Sequence, residues 1–281
     1  MQKFIPVKVT DRKWANRLLN GEVFMRSLYE FGSWNENREP SLNNLFRGDY
    51  REGTVAVYGK PEKTPFYNQL PSIYKEQVKR GYLIDDSEIK YFKIFSLYRM
   101  VYNPFTNGFI RPDERIREFG DTAIIIHDYN EFIDRFGRTL FSKYEKVVSL
   151  ISPVDFYDKN DIKQVDPLFS KDMSYSYQNE LRMAFAELEN DDFWIGPNAN
   201  LNLSVVQNIE PIKLNVGNIR DIAVAISIND FLNLKFPKSL RLKFPMSDYP
   251  DMPTNYDSIV ETTKETMKQR KPILMKPTFD F

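Results

Sequence analysis

The chain has 281 residues, carries 39 Lys and Arg against 39 Asp and Glu, and is 42% hydrophobic and 15% aromatic. That is ample apolar material for a packed core, and the zero net charge argues against bulk electrostatic capture of nucleic acid or of an anionic membrane. The lack of cysteine excludes disulfides, thiolate catalysis and cysteine-based zinc, and the single histidine, His127, excludes a multi-histidine metal site within one chain.

The chain opens MQKFIPVKVTDRK, which turns charged before an apolar core forms, so no signal peptide is expected. No apolar run is long enough to span a bilayer. The expectation is a soluble, cytoplasmic protein without membrane contacts. TDRKWANRLLNG reads as a helix: Thr10 or Asp11 can cap it, Trp14 and Leu18 share a face, and Gly21 stops it. VFMRSLYEF (23–31) reads as a strand. Residues 32–53, GSWNENREPSLNNLFRGDYREG, form a long polar stretch of the kind that is functional in compact domains. TVAVY follows as a strand and PSIYKEQVKRG (71–81) as a helix.

YFKIFSLYRMVY (91–102) is apolar on both faces and so predicts a central strand, and TAIIIHD (122–128) predicts another. DYNEFIDRFGRTLFSKYEK (128–146) is the clearest helix: Asp128 and Glu131 resemble a capping box, and Phe132, Phe136, Leu140 and Tyr144 recur every four residues. VVSLISPVDFY, YSYQNELRMAFAE, LSVVQNI, IAVAI and LRLKF supply further strands. A last helix and a Pro-rich tail occupy 257–281. Strands outnumber helices without alternating with them. The expected fold is therefore a single α+β domain over 1–281, with mixed or antiparallel sheets flanked by helices.

YSYQNELRMAFAE (175–187) carries the densest chemistry. If it is one strand, Tyr175, Tyr177, Asn179, Leu181, Met183 and Phe185 form a core face. The other face holds Ser176, Gln178, Glu180 and Arg182, then two alanines that leave room for something to lie over the strand. An exposed face with a Glu–Arg pair is the plain alternative. In VFMRSLYEF, Arg26 sits mid-strand between apolar neighbours, and a buried charge there needs a carboxylate or a phosphate. In KIFSLYRM, Ser96 interrupts an apolar strand, with Tyr98 two positions later on the same face. Both could contact a nicotinamide ribose and ring, or be satisfied core groups.

Gln178-x-Glu180 resembles the acidic motif of ADP-ribosyltransferases, and the order Arg26, Ser96, Glu180 resembles the arginine/serine/glutamate class of those enzymes. The chain departs from that class in having no Ser-Thr-Ser triplet and no Arg-Gly after the first strand. The resemblance implies an ADP-ribosyltransferase-like fold that uses NAD as substrate, needs no metal and modifies a macromolecular acceptor, protein or nucleic acid, in a setting such as phage–host conflict. It implies that Glu180 stabilises the oxocarbenium-like sugar as nicotinamide leaves, that Gln178 addresses the acceptor, and that Arg26, Ser96 and Tyr98 hold NAD. The helix–strand opening, FRGDYREG, IFSLY and YSYQNELRM together also resemble a family of uncharacterised bacterial and phage proteins. That family's early Asn-Asp-Pro-x-Glu element is replaced here by Gly48-Asp49-Tyr50-Arg51-Glu52-Gly53.

FRGDYREGTV adds Arg47, Asp49 and Glu52, and with Arg182 these complete the candidate nucleotide-binding set. Glycines allow close backbone approach, and arginine can fork onto phosphate. Two other readings stay open. One is a non-catalytic protein of phage or mobile-element origin that binds a nucleotide signal or a host protein. The other is a metal nuclease built on Asp155, Asp166, Glu180 and Arg182, in which arginine replaces the lysine such a site uses.

Overall fold

The structure is a computed structural model that describes residues 3–32, 51–58, 82–84, 88–158, 160, 162–189, 194–195, 201–202, 204–238 and 240. In chain order its strands are β1 (Phe4–Thr10), β2 (Glu22–Ser27), β3 (Thr54–Tyr58), β4 (Tyr82–Ile84), β5 (Lys93–Asn103), β6 (Gly108–Phe109), β7 (Thr122–Ile126) and β8 (Val147–Pro153). There follow β9 (Asp155–Tyr157), β10 (Ile162–Gln164), β11 (Ser170–Asp172), β12 (Glu180–Glu187), β13 (Trp194–Ile195), β14 (Leu201–Asn202), β15 (Ile212–Asn215) and β16 (Ala223–Ser227). The α-helices are α1 (Arg12–Leu19), α2 (Tyr129–Lys143) and α3 (Ile228–Leu232). The protein is α+β, with a mostly antiparallel sheet and few helices.

β5 is central because it is apolar on both faces. One of its edges is covered by β12, with Glu180 opposite Tyr98 and Arg182 opposite Ser96. The other edge is shared. β2 pairs at Lys93 and Ile94, while β1 pairs from Tyr98 to Val101. Between these contacts β1 and β2 part, and the sheet forks around Ser96. β12 continues to β8, β1 continues to β7 and then β16, and β15 pairs with β2. Every pairing in this sheet is antiparallel.

α2 covers one face of the sheet. Its Phe132, Phe136 and Leu140 pack in one buried cluster with Phe95, Leu97, Leu181, Met183 and Phe185. The Asp128 carboxylate accepts from the Glu131 N–H at 3.3 Å. Glu131 does not complete the capping box, because its carboxylate is taken by Arg135 at 2.7 Å. α1 ends as the sequence predicts. Gly21 has φ +97, and a Cβ there would lie 2.2 Å from the Gly217 carbonyl oxygen. Gly21→Ala is therefore expected to lower unfolding stability by at least about 2 kcal/mol in chemical denaturation, through both strain and overlap. A change below half a kcal/mol would contradict that packing.

Three sequence expectations change, and one stretch without an assignment proves to be a strand. YSYQNELRMAFAE is not one strand: Met173–Gln178 is a 3₁₀ helix, and β12 starts at Glu180. Local side-chain bonds win over the strand pattern here. Asp172 accepts from the Ser174 N–H at 2.9 Å, and Asn179 turns the chain in the left-handed region (φ 37), tied to the Arg99 carbonyl at 2.6 Å. VFMRSLYEF is strand only to Ser27 and then turns into a short 3₁₀ helix, Leu28–Glu30. LSVVQNI makes a single bridge, Val205 to Leu188, where a strand was expected. KFIPVKV, given no element by its pattern, is β1 and lies inside the sheet. The 71–81 helix, LRLKF beyond Leu240, the 257–281 segment and residues 33–50 of the long loop lie outside the described residues. Among the described residues, no helix is long and apolar enough to cross a membrane.

Candidate functional site

The fork between β1 and β2 holds a cavity of about 430 Å³, within the range of small-molecule sites. Its lining brings together the sequence candidates Arg26, Ser96, Tyr98, Gln178, Glu180 and Arg182, and Glu52 reaches it as well. The cross-strand register explains the meeting. Arg182 stands opposite Ser96, and Glu180 opposite Tyr98, on one face of adjacent strands.

The floor is a buried ion cluster. Arg182 is 1% exposed and Glu180 3%. Arg182 grips Glu52 with two parallel bonds, Nη1 to Oε2 at 2.9 Å and Nη2 to Oε1 at 2.8 Å, and its Nε donates to Glu180 Oε1 at 2.9 Å. Lys171 Nζ sits 2.6 Å from Glu180 Oε2 and 3.3 Å from Glu52 Oε1, and it donates to Gln178 Oε1 at 2.9 Å. The Ser96 hydroxyl donates to Glu180 Oε1 at 2.5 Å. Two carboxylates thus face two cations. Burial alone would raise the Glu180 pKa, but the charges of Arg182 and Lys171 reverse this and hold the carboxyl well below the usual range. Burial would likewise lower Lys171 and Arg182, and the two glutamates raise both instead.

Glu180 is ionised and held from several sides. A carboxylate offers about four lone-pair positions. Among the described residues Oε1 uses two, on Ser96 and Arg182, and Oε2 uses one, on Lys171. That leaves one position on Oε2 unassigned among the described residues. Gln178 accepts from Lys171 with its carbonyl, and among the described residues no hydrogen bond is seen from its two N–H donors.

Lys8 belongs to the site and escaped the sequence reading, because the β1 stretch showed no decisive alternation and lysine on a strand usually faces water. Its Nζ donates to the Ser96 carbonyl at 2.7 Å, the oxygen that the fork leaves without a strand partner, and lies 4.7 Å from the Phe95 ring centre. Burial pulls its pKa down to about 8, partly offset by Glu180. Below pH 8 Lys8 is charged in both folded and unfolded chains. Between about 8 and the ordinary 10.5 the unfolded chain holds a proton that the folded one sheds, so folding gains stability as pH rises through that window. Denaturation of wild type and Lys8→Met across pH 7–10.5 is expected to show wild type gaining on the variant above pH 8. A constant difference would contradict it.

Arg26 is corrected by the structure. It is not a buried charge in need of a partner: its side chain is 54% exposed at the cavity mouth and pairs with Glu30 at 3.2 Å. The short 3₁₀ turn after Ser27 brings Glu30 back beside it. Tyr98 lines the cavity, packs edge-on against Phe231 at 5.7 Å and has its pKa pushed up to about 12 by burial. Ser176, expected on the polar face, is exposed on the 3₁₀ helix and lines no part of the cavity. Arg47 and Asp49 lie outside the described residues.

The nuclease reading rests on Asp155, Asp166, Glu180 and Arg182. Asp155 is exposed, and Asp166 accepts from the backbone N–H groups of Leu168 and Phe169. Among the described residues no three His, Cys, Asp or Glu side chains gather as metal ligands. No family model, no curated protein and no solved structure matches the chain.

Proposed function

We propose that the protein is an ADP-ribosyltransferase-like enzyme that binds NAD in the fork and passes ADP-ribose to a macromolecular acceptor. The reading is supported above all by the meeting of Ser96, Tyr98, Gln178 and Glu180, from separate parts of the chain, around one cavity. The forked antiparallel sheet is read as the matching fold.

In this account the bond between nicotinamide and ribose C1′ breaks and its electron pair leaves with nicotinamide. The sugar becomes oxocarbenium-like, and the unassigned position on Glu180 Oε2 accepts the ribose hydroxyl, an interaction that strengthens as positive charge develops. Ser96, Arg182 and Lys171 keep the carboxylate ionised and fixed. Tyr98 lines the nicotinamide end. Lys8, rather than Arg26, is the cation at depth available for phosphate or ribose. Gln178 donates to the acceptor, whose nucleophile adds to C1′ and releases its proton to solvent.

One observation favours a second reading. A carboxylate so fully paired also suits a structural cluster beneath a pocket that binds a nucleotide without turnover. Radiolabelled NAD separates the two. Label transferred to a cell-extract acceptor, or nicotinamide released, supports the enzyme. A stable complex without release supports the binding protein, and absence of NAD binding removes the enzyme.

A further inference from the structure

At the mouth of the fork the chain exposes an indole. Ala15, Leu18 and Leu19 of α1 are buried, yet Trp14 on the same helix is 43% exposed, and it lines the cavity beside Leu18. Phe24 of β2 extends the surface. The two rings are 6.4 Å apart and nearly parallel, at 18°. The Arg17 guanidinium lies 4.6 Å from the Trp14 ring centre, and that of Arg26 lies 5.7 Å from the Phe24 ring. Among the described residues each arginine has one acidic partner, Glu22 at 3.3 Å and Glu30 at 3.2 Å. Both pairs are partly exposed, so an incoming phosphate exchanges for them at little cost.

We propose that Trp14 and Phe24, flanked by Arg17 and Arg26, form a nucleobase-stacking subsite at the cavity mouth, with the arginines receiving the phosphate attached to that base. A flat aromatic wall accepts any base through its π-face, and a guanidinium forks onto phosphate oxygens. Trp14 stands on α1 and Phe24 on β2, both regular elements, so the wall is preformed. The proposal deepens the NAD reading by seating the base half of the ligand, but it does not depend on turnover. The same chemistry arrives either on a small nucleotide or on a single-stranded nucleic acid.

Binding of AMP and of a short single-stranded oligodeoxynucleotide to the full chain, each by calorimetry, tests it. At least one ligand is expected to bind. Trp14→Ala is expected to weaken that binding by between about five- and 150-fold, and Arg17→Ala to weaken it as well, with unchanged circular dichroism. AMP binding alone assigns the subsite to a small nucleotide, and oligonucleotide binding alone to a nucleic-acid strand. The proposal is overturned if neither binds, or if Trp14→Ala binds as wild type does. Its fate is separable from that of the enzyme reading: nicotinamide release that survives without AMP or oligonucleotide binding removes the subsite only, and AMP binding without release removes the transferase only.

Discussion

Arg182→Leu is expected to lower the free energy of unfolding by about 3–5 kcal/mol, a large part of the stability of a domain this size. The reason lies in the company Arg182 keeps. Like Lys171 it touches both acids, and it does so with three nitrogens, gripping Glu52 with two and Glu180 with the third. Leucine fills much of the space but leaves two buried carboxylates facing Lys171 alone. Urea denaturation measures the effect, and a loss below 1 kcal/mol would show that the cluster does not hold the fork together. The wild-type protein should also be acid-sensitive. The folded Glu180 pKa lies below its ordinary 4.5, so its contribution is complete above about pH 4.5 and is lost as pH falls below that value toward the folded one.

Glu180→Gln is expected to reduce nicotinamide release by at least about a hundredfold, the scale seen when a preorganised electrostatic partner of a transition state is removed. It also takes one negative charge from the cluster, so stability must be controlled. Glu52→Gln is the matched control: it removes the same charge from the same two cations but keeps the bond from Ser96 to Glu180. Both variants should lose comparable stability, while Glu52→Gln retains most of the activity of wild type per folded molecule. Equal loss of activity in the two would mark Glu180 as a structural partner only.

Much of this arrangement was legible in the sequence, and the exceptions have physical causes. The central place of β5 follows from its two apolar faces, and α2 from its four-residue apolar repeat and Asp128 cap. Ser96, a hydroxyl in an apolar strand, and Glu180, on the polar face of another, were expected at one site, but their direct hydrogen bond was not read from the sequence. Strand alternation misled at 175–178, where Asp172 and Asn179 supply local hydrogen bonds that outweigh it. Arg26 misled because its neighbours are apolar, while β2 lies toward the sheet edge and exposes that side chain. Glu52 and Arg182 stand 130 positions apart, and no local pattern encodes their grip. Lys8 was invisible for a similar reason: its role comes from the split between β1 and β2, which leaves the Ser96 carbonyl for its ammonium.

NAD cleavage in the fork, with Glu180 acting on the ribose, is the proposed activity. Nicotinamide release from NAD, followed by chromatography for wild type, Glu180→Gln and Glu52→Gln at matched folded concentration, tests it most directly. The account predicts release by wild type and by Glu52→Gln, and its loss in Glu180→Gln. Undiminished release by Glu180→Gln, or no release by wild type in the presence of cell extract as acceptor, would contradict it.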